Sequence, residues 1–130
     1  MIMKGFPGKD EQARVVRFYK DEMSNEALGS VSCTWKEIKD HERGNFGIVA
    51  RFGFLKSGAS KGFEDKKEMV SLLMQEVINQ LERGEVVFYW VTKRKDIARL
   101  LTELGWNIDM KGDDGSDVWM FDRKDPRRDN

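Results

Sequence analysis

The chain has 130 residues, 39% hydrophobic and 35% charged, with 23 Lys+Arg set against 23 Asp+Glu. That length suits one domain with a real core, and the composition excludes a membrane protein and wholesale disorder. Zero formal net charge removes any global basic field, so no membrane partner is expected and nucleic acid is disfavoured. One cysteine, Cys33, cannot close an internal disulfide. One histidine, His41, cannot build a His-rich metal site, so no metal centre is expected. Met1 to Pro7 carries no long apolar stretch and no cleavage pattern; we read no secretory signal, and the lone cysteine is consistent with the cytoplasm.

Asp10 reads as the N-cap of a first helix, about 11–23, with Val15, Val16, Phe18, Tyr19 and Met23 on one broad face. Ser24-Asn25 and Gly29 break it. Ser30 to Ile38 alternates, with Val31, Cys33 and Trp35 on the apolar side of a half-buried strand. Cys33 therefore reads as a small core residue rather than a nucleophile. Gly44-Asn45 is a turn, and His41 sits in the same loop with nothing to orient it as a base. Phe46 to Leu55 is a second strand, antiparallel to the first, with Ile48, Ala50, Phe52 and Phe54 facing one way and Leu55 the other. Ser57 to Gly62 is a small-residue loop.

A long helix follows, about 65–83. Val70, Leu73, Met74, Val77, Ile78 and Leu81 form its stripe, and Gly84 its C-cap. Val86 to Val91 is an unbroken apolar and aromatic run, too short to span a membrane. A strand with no polar face is covered on both sides, so 85–92 belongs mid-sheet, parallel to 46–55 through the crossover helix. A helix over about 94–104 carries Ile97, Leu100, Leu101 and Leu104, closed by Gly105. The segments 106–110 and 117–121 form a last hairpin around Gly112-Asp113-Asp114-Gly115. The order is α-β-β-α-β-α-β-β around a mixed central sheet, an α/β (α+β) class. One domain spans 1–122, its 1–27 region reduced to a single helix, and 123–130 is a mobile charged tail.

From residue 30 onward this order resembles the GCN5-related N-acetyltransferase family. Leu28-Gly29-Ser30-Val31 resembles the entry to one of its strands. Phe46–Leu55, the Gly/Ser loop and Met69–Leu81 resemble its acyl-CoA segment. Lys95 to Trp106, ending Leu104-Gly105-Trp106, resembles its closing helix. The resemblance implies an acyl-CoA N-acyltransferase-like fold in which two parallel strands splay and a glycine-rich loop holds pyrophosphate on main-chain amides. Carried onto this chain, it implies acetyl-CoA as cofactor, held by Phe54, Leu55, Gly58, Lys61, Gly62, Lys66 and Lys67. It also implies catalysis through Glu37 or Asp40 as base and Tyr89 as acid.

The chain departs from that family in three places. Where the family has Arg/Gln-x-x-Gly-x-Gly/Ala, this chain reads Glu64-Asp65-Lys66-Lys67-Glu68-Met69. Each carboxylate beside a pyrophosphate adds repulsion of about 1 kcal/mol per charge pair even at water-like dielectric. Leu101 stands where many members have a tyrosine acid. The N-terminal region is too short for the family's usual acceptor walls. We therefore expect a lapsed cofactor site and a protein-interaction or structural role, ahead of an active amine N-acetyltransferase.

Trp119 and Phe121 are the expected exposed contact pair for a protein partner, and a homo-oligomer stays open. Phe88-Tyr89-Trp90-Val91 and the helix after it resemble small acetyltransferase-like proteins of short-tailed bacteriophages, some packaged in the virion. That implies a virion-associated role. Lys93-Arg94-Lys95, Arg123-Lys124 and Arg127-Arg128 are interleaved with Asp96, Asp122, Asp125 and Asp129. They read as a solvated charge face rather than a nucleic-acid site.

Overall fold

Alternation, not helical spacing, governs the N-terminal half of the molecule. The computed structural model describes residues 1–40, 45–82 and 84–123. The elements are β1 (Ile2–Lys4), β2 (Arg14–Tyr19), β3 (Gly29–Asp40), β4 (Asn45–Ser57), α1 (Phe63–Asn79), β5 (Glu85–Thr92), α2 (Lys95–Glu103), β6 (Asn107–Lys111) and β7 (Asp117–Arg123). The strands form one seven-stranded sheet in the order β1-β2-β3-β4-β5-β7-β6. Only β4 and β5 run parallel, joined through α1; every other neighbouring pair is antiparallel. His41, Gly44 and the tail from 124 onward lie outside the described residues.

The first helix expected from sequence is instead a strand. Arg14 to Phe18 pairs with Gly29 to Cys33. Val16 and Phe18 are fully buried, while Val15 is 47% exposed. In helical spacing those residues share a broad face, which made the pattern ambiguous. Pairing wins because it satisfies the backbone of β3, which otherwise presents a bare edge. Asp10 takes φ 61° and caps nothing. Its N–H donates to the Trp35 carbonyl at 3.1 Å, extending cover along the same edge. Further on, α1 stops at Asn79 with Gln80 as its C-cap. Gly84, at φ 104°, makes the turn into β5 and does not cap the helix.

The register gathers the core on one face. Ala50 is level with Trp35 and Phe88, and Phe52 with Cys33 and Trp90. Met69, Val70, Leu73 and Val77 of α1 and Ile97, Leu100 and Leu101 of α2 join the same cluster. Each such side chain contributes about 1.5–3 kcal/mol by leaving water. Phe52, Phe88, Trp90, Trp106 and Phe121 interlock, with ring centroids 5.5–6.4 Å apart. On the opposite face, Ile38 and Val91 are 41% and 60% exposed.

The expected exposure of Trp119 and Phe121 is corrected by this arrangement. β7 lies between β5 and β6, so both its neighbours are strands. Trp119 sits level with Trp90 on the buried face and is only 7% exposed. Phe121 packs half-buried against Phe88 and Trp106. Cys33 is a core residue, and burial pushes its thiol up to about 12. The native protein should therefore resist a thiol reagent near neutral pH, with labelling appearing only as denaturant unfolds the chain. Rapid labelling of native protein would contradict this packing.

Candidate functional site

The cleft forms where two parallel strands part. β4 and β5 stay paired from Gly47–Glu85 to Phe52–Trp90. β4 then runs on to Ser57 and β5 to Thr92 without pairing to each other. Just past the last pair, the β3–β4 register shifts between Ser30 and Ser32, and Phe54 takes φ 48°. Such a bulge inserts an extra residue and reverses the alternation beyond it. That corrects the expected facing: Phe54 is 82% exposed while Leu55 is buried.

The parted strands enclose a cleft of about 850 Å³ that continues onto the open face of the sheet. Its walls include Phe54, Leu55, Tyr89, Val91, Arg94 and Arg51. Three residues singled out from sequence, Phe54, Leu55 and Tyr89, thus meet here. Glu37 does not; it lies exposed on β3, its carboxylate 2.9 Å from the Lys9 amine. Nor do Gly58, Lys61, Gly62, Lys66 or Lys67 line the cleft.

Four main-chain donors of the loop meant to cradle phosphate, those of Gly58, Ala59, Ser60 and Gly62, are spent internally. The Gly58 and Ser60 N–H groups donate to the Leu28 carbonyl at 2.9 and 3.2 Å, and that of Ala59 to the Ala27 carbonyl at 2.9 Å. The Gly62 N–H donates to Ser60 Oγ at 3.3 Å, and the Ser60 hydroxyl in turn donates to the Asp65 carboxylate. Gly58 is needed for close approach, since a Cβ there would lie 2.3 Å from the Ala27 oxygen. Two of the three candidate cations are engaged too: Lys66 faces Asp96 at 3.6 Å and Lys67 faces Glu103 at 4.0 Å. Glu64 and Asp65 occupy the first turn of α1, where the helix dipole already favours negative charge.

Sequence reasoning missed Arg94, which it left inside a solvated charge run. Its Nη1 donates to the Leu55 carbonyl across the parting strands. Its Nε and Nη2 grip Asp96 at 3.1 and 2.7 Å. The Arg94 hydrogen bond holds the Asp96 carboxyl below the usual carboxylate range against the opposing effect of burial, helped by the Arg94 charge, the Ile97 N–H and the Lys66 charge. The signal that could have found it is position: Arg94 immediately precedes α2, at the mouth of the parting strands. Leu101 is fully buried and offers no proton. Among the described residues, no three His, Cys, Asp or Glu side chains stand together as metal ligands, and no helix is long and apolar enough to cross a membrane.

No family model matches the chain, and neither does any curated protein. Among solved structures it is similar to a chain of the NatC complex bound to Gag peptide and CoA. The TM-score is 0.53 at 14% identity, over 86% of this chain and 70% of that one. At that identity the likeness is one of fold. The protein has a mixed α+β, acyl-CoA N-acyltransferase-like fold, its two parallel strands parting over a bulge.

Proposed function

We propose that the chain is a protein-interaction or structural module whose acetyl-CoA site has lapsed. The observation that carries this reading is the state of the cleft mouth. The Arg94 guanidinium occupies the Leu55 carbonyl, and the amides of Gly58, Ala59 and Ser60 are bonded to 27–28. A coenzyme would have to break these bonds and bring its phosphates beside Glu64 and Asp65, each step opposing affinity. The solved neighbour is a complex that holds peptide as well as CoA, which suits a fold used for assembly. The phage-like pattern around Phe88–Val91 extends the reading to a virion-associated component.

Calorimetric titration of the full chain with acetyl-CoA should show no heat of binding at micromolar concentrations. A micromolar Kd would overturn the proposal. It would favour the second reading, an amine N-acetyltransferase, which draws support from the cleft volume and from Tyr89 in its wall. On that reading Lys61→Glu with Lys66→Glu should abolish the affinity. The base would have to be a group other than Glu37, which stands outside the cleft.

A further inference from the structure

The fold sorts charge in a way the linear sequence hides. Pairing places Lys4 opposite Arg17, Arg17 opposite Ser30, Thr34 opposite Arg51 and Lys36 opposite Val49. Lys4, Arg17, Lys36 and Arg51 therefore project from the same face of β1–β4, the face turned away from the core. Among the described side chains there, none is acidic. Arg17, Lys36 and Arg51 are exposed and make no ion pair with any described residue.

Lys4 and Arg17 stand directly across from one another, a placement that costs stability in an isolated sheet. Two acids, Asp10 and Glu11, line a small hollow beside Lys36 and Arg51. Glu11, however, is taken by the Gly8 N–H and by Arg14. A chain with equal numbers of acids and bases has thus gathered its cations on the open face of β1–β4, with Asp10 and Glu11 at the rim. Aliphatic groups lie between the cations: Val15 and Ile38 are 47% and 41% exposed, and Val91 adds 60% at the cleft edge.

We infer that this face docks an acidic amphipathic helix of a partner protein. Isolated cations call for carboxylates, and exposed Val and Ile side chains call for an apolar stripe; a helix supplies both at spacings of three and four residues. Added strand pairing is not available where Arg17, Lys36 and Arg51 stand, because β2, β3 and the Gly47–Phe52 stretch of β4 already have a strand on each side. Single-stranded nucleic acid, which stacks on aromatic rings, is the competing occupant: Tyr19 lies under Lys4 and Tyr89 across from Arg51, but Val15 and Ile38 are the side chains exposed among the cations on β2 and β3, and oligo-dT is therefore one arm of the test. The inference rests on the interaction-module reading and names its partner's chemistry.

The test is a titration of isotope-labelled full chain, followed by amide chemical shifts. The main probe is a synthetic helical peptide with a leucine stripe flanked by glutamates. Controls are its lysine-flanked counterpart, a version scrambled to break the stripe, and oligo-dT. Shifts should cluster on β2, β3 and β4, weaken as salt rises, and lose roughly tenfold or more in affinity in the triple variant Arg17→Glu, Lys36→Glu, Arg51→Glu. Arg51→Glu alone should lose part of that affinity, and spectra of the free variants establish that they are folded. Absence of shifts, indifference to the substitutions, equal binding of the lysine or scrambled peptide, or tighter binding of oligo-dT would each overturn the inference. Acetyl-CoA binding would sink the lapsed-site reading while leaving these shifts unchanged, so the two fail separately.

Discussion

Replacing Trp106 by alanine should destabilise the protein by about 3–5 kcal/mol, the range for truncating a buried Trp. The residue is 2% exposed and its ring meets Phe52, Phe88, Trp90 and Phe121. It thereby joins three strands of the sheet to the end of α2. Its own position is fixed locally. Gly105 turns the chain at φ 89°, and the Trp106 N–H donates to the Leu101 carbonyl at 2.9 Å. No neighbour slides into the space, because the surrounding rings are themselves pinned to strands.

Trp106→Phe should cost much less, about 1–2 kcal/mol. It keeps an aromatic ring and removes an indole N–H that is buried without a hydrogen-bond partner. Urea denaturation reads both: midpoints should fall in the order wild type, Phe, Ala, at an unchanged slope. An alanine variant within about 1 kcal/mol of wild type would mean that the aromatic cluster is not the keystone of the core.

The C-terminal part of the fold was legible because several signals agreed there. The stripe of α1, the unbroken run of β5 and the ending Leu104-Gly105-Trp106 each admit one reading, and their order allows only a parallel β4–β5 pair. Two features were hidden. The bulge at Phe54 had one signal in β4 that was passed over, the isolated Gly53 before it; that it reverses the facing of Phe54 and Leu55 follows only from the register shift against β3. The exposure of Trp119 depended on strand order, since β7 follows β6 in sequence yet lies inside it in the sheet. In the site, the type of residue was legible and its engagement was not. The acids of Glu64 and Asp65 could be seen to oppose phosphate. That Gly58, Ser60 and Arg94 had already spent their donors on 27–28 and on Leu55 required the folded loop.

The N-terminal strand gives the sharpest mutational contrast. Phe18→Asp should unfold the protein or cost it at least about 3 kcal/mol, since it strands a carboxylate where no cation can reach it and removes a fully buried ring. Val15→Asp should cost no more than about 1 kcal/mol, the whole span of strand propensity, because that side chain stands on the solvent face beside Arg17. In a helix over 11–23 the two positions lie three apart on one face, so both changes would do similar harm. In the strand they point to opposite faces, one into the core and one into water. Thermal or urea midpoints of the two variants therefore measure the period of this segment directly. Equal losses would return it to a helix, and would take with it the alignment that puts Lys4 and Arg17 on the open face.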